Sequence, residues 1–316
     1  MRLNSFTVGG LKIPNNLLLA PLAGYTNAVF REMCIRLGAG LTFTEMVSAK
    51  GLCYNSENTR ELLQILQLPP EYGAVNAVQL FGCEPEYMER AACSADVAPF
   101  ALIDINMGCP VPKIYKNGEG SALLNDIPLA MKMVRAAKKS GKPVSVKFRI
   151  GVDGGHIVTR DFAVAMEDAG ADMITVHGRT RDKMYSGEVN FGEIAAAKSA
   201  VKIPVIANGG VFSPADADRL LNETGADGVM LARGAMYNPF LFAGISGTQY
   251  GDKRSVIMRQ LAETFGRYDS RFATVYMRKM IAFYIKGVPN AAALRSRLLA
   301  CGDRESIEDA LKEIEF

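Results

Sequence analysis

The chain contains no tryptophan, only two histidines, and six cysteines without a single Cys-x-x-Cys pair. His156, His177 and the scattered thiols (Cys34, Cys53, Cys83, Cys93, Cys109, Cys301) do not compose the four-ligand sets of structural zinc. They do not read as a disulfide framework either, so no metal is expected and the reducing cytoplasm is the expected compartment. No apolar run approaches the roughly 18 residues of a membrane-spanning helix. The start, Met1-Arg2-Leu3-Asn4-Ser5, lacks the apolar core of a signal peptide, so no membrane partner is expected. An excess of one charge is also missing overall: 36 Lys and Arg against 33 Asp and Glu leave a net +3.

That balance hides an uneven distribution. Between positions 253 and 297 lie ten Lys or Arg against Glu263 and Asp269, a local +8; since the whole chain carries +3, the remainder is net −5. Such a segment points to a phosphate-rich partner or, as the plainer alternative, to a solvated helix face.

With 316 residues and 49% hydrophobic content, the chain can bury a large core without staples. Eight short, β-branched apolar runs recur: Leu17 to Ala20, Thr42 to Met46, Val75 to Leu80, Leu102 to Asn106, Val144 to Phe148, Met173 to His177, Pro204 to Asn208 and Gly228 to Ala232. Each is followed by helical periodicity, which predicts right-handed crossovers and a parallel sheet. Eight units in this length match an α/β fold, the closed (β/α)8 TIM barrel. Gln79, Asn106, Lys147, His177 and Asn208 fall at or near the C-terminal ends of these strands, the face on which this architecture carries its chemistry. After about position 246 the pattern becomes helical, with Leu261, Phe265, Tyr276, Met280 and Phe283 as core candidates. The expected organisation is a catalytic barrel over 1–245 and a small C-terminal helical domain over 246–316.

The loops after the seventh and eighth strands read Asn208-Gly209-Gly210 and Ala232-Arg233-Gly234. Their glycines let backbone approach an anion closely, and Arg233 offers a bidentate contact, which together suggest a phosphate site. Sugar-phosphate isomerases and aldolases share that feature. In Val144 to Arg149, alternation puts Ser145, Lys147 and Arg149 on one side of the strand. A lysine facing into a barrel must meet a negative charge or lose its proton. The N1/C2=O edge of a reduced flavin is such a charge, and Gln79 can read the neighbouring pyrimidine edge; a Schiff-base lysine or a structural ion pair are the alternatives. Cys109 lies on a Gly- and Pro-bounded turn just past the fourth strand, followed by Lys113 and Lys116. A lone cysteine is more often a small buried hydrophobe, but at a barrel mouth its thiol can serve as a general acid.

The residues in these places resemble the tRNA-dihydrouridine synthases, particularly their bacterial B-type branch. The matching stretches are Ala20 to Thr26 with Phe30-Arg31, Gln79 to Gly82, Asp104 to Pro110 with Lys113, Gly118 and Gly120 to Leu124, Val146 to Arg149, Val176 to Thr180, Ile206 to Gly210, and Ala232 to Gly234. They run in order, at family spacing, from about residue 5 to 245. The resemblance implies FMN held by Pro21, Leu22, Ala23, Gln79, Lys147, Asn208, Gly209, Gly210, Ala232 and Arg233, with His177 beside the ring. It implies Cys109 as the acid that protonates C5 of a uracil, Asn106 and Arg149 orienting that base, NADPH as reductant, and tRNA as substrate. Arg278, Lys279, Arg295 and Arg297 are the candidates for the RNA backbone. The chain departs from the family at Gly210 and Asn27, where Asp is usual, and at Ala232, where Gly is usual. Met277 to Met280 lies where relatives often carry histidine beside the basic pair.

The residues do not decide between tRNA and ribosomal RNA, nor which uridine is reduced. A monomer is expected, although no motif fixes the oligomeric state. Three other functions share parts of this pattern: an FMN-dependent reductase of free pyrimidines or another small substrate, which needs no basic tail; a sugar-phosphate enzyme without flavin; and a non-catalytic RNA-binding descendant.

Overall fold

A computed structural model describes residues 2–315. Among them, a short antiparallel hairpin of β1 (Phe6–Val8) and β2 (Leu11–Ile13) precedes eight parallel strands: β3 (Leu17–Leu19), β4 (Leu41–Ser48), β5 (Asn76–Phe81), β6 (Leu102–Met107), β7 (Val144–Arg149), β8 (Met173–His177), β9 (Val205–Asn208) and β10 (Gly228–Leu231). The eight close into a barrel in the order β10-β3-β4-β5-β6-β7-β8-β9. This is the (β/α)8 architecture expected from the apolar runs, and each run lies on its strand.

Period-two alternation sorts the side chains. Leu17 and Leu19, Val144, Val146 and Phe148, and Val205 and Ala207 point outward into the layer beneath the helices. Leu18, Leu41, Phe43, Ala77, Leu102, Met173, Ile206 and Met230 fill the interior together with Val8 and Ile13. The hairpin therefore plugs the N-terminal end of the barrel. Three-residue strands give almost no periodicity, so the sequence reading missed it. Its turn is Gly9-Gly10, both at positive φ (53° and 88°), the backbone that a two-residue hairpin loop requires.

Above this apolar layer the interior becomes polar, because Ser145, Lys147 and Arg149 on β7 and Asp104 and Asn106 on β6 follow the same inward parity. Pairing sets their height: Gln79 lies opposite Asp104, Asn106 opposite Lys147, Arg149 opposite His177, and His177 opposite Asn208. Local signals begin the surrounding helices. Asn27, the family-unusual residue, still caps Ala28–Arg36 by accepting from Phe30 N–H at 2.9 Å, and Ser213 and Asp216 form a capping box before Pro214–Thr224.

Four helices close the described chain: Lys253–Arg267, Ser270–Tyr284, Ala291–Ala300 and Arg304–Lys312. Of the core candidates in this region, Leu261, Tyr276 and Met280 are buried, while Phe265 and Phe283 are half-buried. The helices share a continuous apolar cluster with the outer barrel layer through Leu261, Tyr276, Met277, Met280 and Ile281. Ionic contacts reinforce the junction. The carboxylate of Glu32, fully buried on the first barrel helix, accepts both terminal nitrogens of Arg267 at 2.7 and 2.8 Å, and Arg36 pairs with Glu263 at 2.9 Å.

Candidate active site

The C-terminal ends of the strands enclose a cavity of about 430 Å³. Pro21, Leu22 and Ala23 after β3, Gln79, Asn106, Cys109, Lys147, Arg149, His177, Asn208 to Gly210, Ala232 and Arg233 all line it. One cavity thus gathers the barrel residues expected to bind the cofactor and the base, while Ser145, Lys113 and Lys116 do not line it. It also contains Tyr25, Met46, Arg179, Tyr185 and Phe212, which were given no role. Arg179 lies in the stretch Val176 to Thr180, two residues past the end of its strand, whereas Tyr185 and Phe212 sit on loops, where no periodicity marks direction.

A chain of hydrogen bonds orders the floor. Gln79 Nε2 donates to Asp104 Oδ2 at 2.6 Å, and Ser145 Oγ donates to Asp104 Oδ1 at 2.6 Å. Gln79 Oε1 in turn accepts from Asn106 Nδ2 at 2.9 Å, and Asn106 Oδ1 accepts the backbone N–H of Cys109 at 2.9 Å and of Gly108 at 3.2 Å. Asp104 accepts only, so it fixes which way both amides face. The end of that relay is the cysteine loop. Arg149 fastens the loop from the other side, donating from Nε to Gly108 O at 2.9 Å and from Nη1 to Thr180 O and Met184 O at 3.0 and 2.8 Å. In this arrangement the amide of Asn106 and much of the guanidinium of Arg149 hold the loop that carries Cys109.

Electrostatically the site is cationic. Lys147, Arg149, Arg179 and Arg233 converge on His177, whose pKa burial pushes well down, helped by those cations, so its ring is neutral. Arg179 Nη1 lies 3.4 Å from Nε2 of that ring, consistent with the proton residing on Nδ1. Burial lowers Lys147 to about 8, with Arg149 adding to the effect and Asp104 opposing it. Burial also raises the Cys109 thiol, against the Val111 backbone N–H, Arg149 and Lys147, which keeps it protonated at neutral pH. Arg233 begins a short helix, and its guanidinium lies 4.8 Å from the Tyr185 ring centroid and 5.8 Å from that of Phe212.

The cavity fits a flavin phosphate. Gly209 and Gly210 have φ of 126° and 74°, and a Cβ on Gly209 would come within 3.0 Å of the His177 ring. On Gly234 it would lie 2.1 Å from Val211 O. These positions admit no side chain and leave backbone facing the cavity. Lys147 makes no hydrogen bond or ion pair with another described residue, so a half-buried ammonium on the cavity lining is left without a counter-charge in contact.

The basic candidates beyond the barrel behave differently. Arg278 donates to Cys301 O at 2.8 Å, Lys279 donates to Gly24 O at 2.6 Å, and Arg297 pairs with Glu313. Arg295 alone of the four is exposed without a partner among the described residues. Among the described residues, no group of three or more His, Cys, Asp or Glu comes together as a metal site, and no helix is long and apolar enough to cross a membrane.

A profile described as Dihydrouridine synthase (Dus) matches residues 18–315. A protein named probable tRNA-dihydrouridine synthase 1 from Synechocystis sp. is 38% identical, over 97% of this chain and 88% of that one. tRNA-dihydrouridine synthase B from Pasteurella multocida is 34% identical, over 94% and 91%. Among solved structures, morphinone reductase in complex with tetrahydroNAD superposes with a TM-score of 0.54 at 14% identity, covering 80% of this chain and 93% of that one. Histamine dehydrogenase from Rhizobium sp. 4-9 superposes with a TM-score of 0.59 at 15% identity, covering 82% and 50%. At such identity the likeness is one of fold.

Proposed function

Since the chain belongs to the dihydrouridine synthase family, we propose that it is a flavin-dependent oxidoreductase that reduces uridines of tRNA to 5,6-dihydrouridine, with FMN as cofactor and NADPH as reductant. The observation that carries this reading is the meeting, in one cavity, of a protonated Cys109 with an unpaired Lys147 and the glycine and arginine loops. Gly209, Gly210, Ala232 and Arg233 hold the phosphate. Pro21 to Ala23, Gln79, Asn208 and His177 would surround the ring, and Lys147 would offer its ammonium to the negative charge of the reduced flavin. Gln79 retains one amide hydrogen beyond its bond to Asp104, enough to donate to a pyrimidine-edge oxygen.

FMN held there would supply a hydride for C6 of the uracil. The Cys109 thiol delivers the proton to C5, so the C5=C6 bond is reduced, and the resulting thiolate recovers its proton from solvent. Asn106 and Arg149 keep the cysteine loop at the cavity edge and face the incoming base. A neutral His177 adds no further positive charge beside the ring. The uracil has to leave its stack to reach this depth, so the RNA backbone must be gripped outside the barrel. The C-terminal helices, with Arg295 and Arg297 exposed on one of them, are the proposed grip.

The test is mass spectrometry of bulk RNA from a deletion strain, together with the absorption spectrum of the purified protein. Loss of dihydrouridine at defined tRNA positions and a yellow protein are expected. Unchanged dihydrouridine alongside NADPH-dependent reduction of free pyrimidines would replace the RNA reading with the small-substrate one.

A further inference from the structure

We infer that Lys279 and Tyr276 are positioning residues for the loop that forms one wall of the cofactor cavity, and that Lys279 is not a phosphate contact for RNA. The inference rests on the cavity being the cofactor site, as proposed above. Tyr276, Lys279 and Phe283 are spaced to share one face of the helix Ser270–Tyr284, and that face meets the turn from Leu22 to Thr26. The turn is closed internally: Tyr25 N–H and Thr26 N–H both donate to Leu22 O at 3.0 Å, and Leu22 N–H donates to Thr26 Oγ1 at 2.9 Å. Its apex has three further polar groups. Gly24 N–H donates to Glu45, Gly24 O accepts from Lys279 Nζ at 2.6 Å, and Tyr25 O accepts from Tyr276 Oη at 2.6 Å.

Two of these three anchors come from the helix Ser270–Tyr284, across more than two hundred residues of sequence. The ammonium of Lys279 also sits 4.1 Å from the Tyr25 ring centroid, and Phe283 packs on the same ring with centroids 6.0 Å apart. Tyr25 and its neighbours Pro21 and Leu22 line the cavity, so the height of this turn sets how much room the ring-binding wall leaves. Lys279 is half-buried, between a carbonyl, an aromatic face and the Glu45 carboxylate. Turning it toward an RNA phosphate would give up the hydrogen bond to Gly24 O and strip Tyr25 of its cation.

The experiment compares wild type with Lys279→Met, Lys279→Arg and Tyr276→Phe in three measurements: hydrogen exchange of peptides covering residues 20–27, the FMN dissociation constant, and the salt dependence of tRNA binding. In Lys279→Met the turn amides are expected to exchange about tenfold faster, while those of helix 270–284 keep their rates. Tyr276→Phe should show the same local effect. FMN should bind several-fold more weakly in Lys279→Met, Lys279→Arg should restore both values, and the log–log salt slope should be that of wild type. Unchanged exchange with a slope reduced by about 0.7 to 0.9 would make Lys279 a phosphate contact and overturn the inference. So would exchange that rises throughout the helix, which marks a general packing role, or exchange that does not change in any variant. A wild-type protein that binds no flavin would refute the function proposed above, while the exchange measurement still decides the clamp.

Discussion

Replacing Asp104 by Asn should make the protein more stable at neutral pH and shift the pH dependence of its flavin chemistry. Burial pushes the Asp104 carboxyl up to about 6 from 3.8, against the hydrogen bonds from Gln79 and Ser145 and the charge of Lys147. Held ionised at pH 7.5, it therefore costs about 3 kcal/mol relative to the unfolded chain, at roughly 1.4 kcal/mol per pH unit. The uncharged amide of Asp104→Asn would remove that cost and lose one acceptor. The loss falls where it does least harm: if the new Nδ2 faces Ser145, the hydroxyl rotates to accept, whereas facing Gln79 would invert both amides and set Asn106 Nδ2 against the Cys109 N–H. Allowing about 1 kcal/mol for the exchanged hydrogen bond leaves about 2 kcal/mol of gain, or about 3 °C in Tm for a chain of this length. The sign follows from the raised pKa. Between about pH 4 and 6 the folded wild type binds more protons than the unfolded chain, so its stability rises as pH falls through that window. The advantage of Asp104→Asn must therefore shrink from pH 7.5 to pH 4. Without that carboxylate, Lys147 should also lose its proton below about 8, and the alkaline fall of NADPH oxidation should move to lower pH. Calorimetry at pH 7.5, 5.5 and 4 together with a pH–rate profile tests both halves. A variant less stable than wild type at pH 7.5, or a gap independent of pH, would refute the reasoning.

In the wild type, NADPH oxidation should decline as pH rises through about 8, where Lys147 loses its charge, and a profile flat to pH 10 would remove that role. Lys147→Met should weaken FMN retention and slow flavin reduction; an equally yellow and equally reducible variant counts against the assignment. Cys109→Ala should keep its FMN and its NADPH oxidation while dihydrouridine formation drops about 10²–10⁴-fold, read by mass spectrometry of tRNA. For the C-terminal helices, Arg295→Gln with Arg297→Gln should lower the log–log salt slope of tRNA binding by up to two contacts of about 0.7 to 0.9 each. Arg278→Gln should instead lower Tm, because its guanidinium holds Cys301 O, and leave the slope alone.

The barrel and its floor were legible because strand-end side chains have a direction fixed by the backbone. Once Val144, Val146 and Phe148 are assigned to the outer layer, Ser145, Lys147 and Arg149 must point inward, and pairing with β6 and β8 then brings Asn106 and His177 beside them. The same logic names Asp104, which shares the parity of Asn106, yet only the folded structure reveals its part in ordering Gln79 and Asn106. The β1–β2 plug was invisible for the opposite reason: strands of three residues carry too few positions to show a period.

The basic segment was readable as a charge but not as a surface. A count along the chain sums side chains whose long stems reach several ångströms in any direction, so it holds no information about what each charge meets. Of the ten cations between 253 and 297, Arg267 goes to the buried Glu32, Arg254 to Ile314 O, Arg278 to Cys301 O, Lys279 to Gly24 O and Arg297 to Glu313. These five hydrogen-bond or ion-pair within the protein, and two more, Lys253 and Lys286, lie 5.6 and 5.4 Å from the ring centroids of Phe240 and Tyr237; Arg267 and Lys279 bind the helices to the barrel. The charge that suggested RNA is therefore divided. Part fixes the helical segment against the loop of the cofactor cavity, and the part left over, of which Arg295 is the clearest case, is what an RNA backbone would meet.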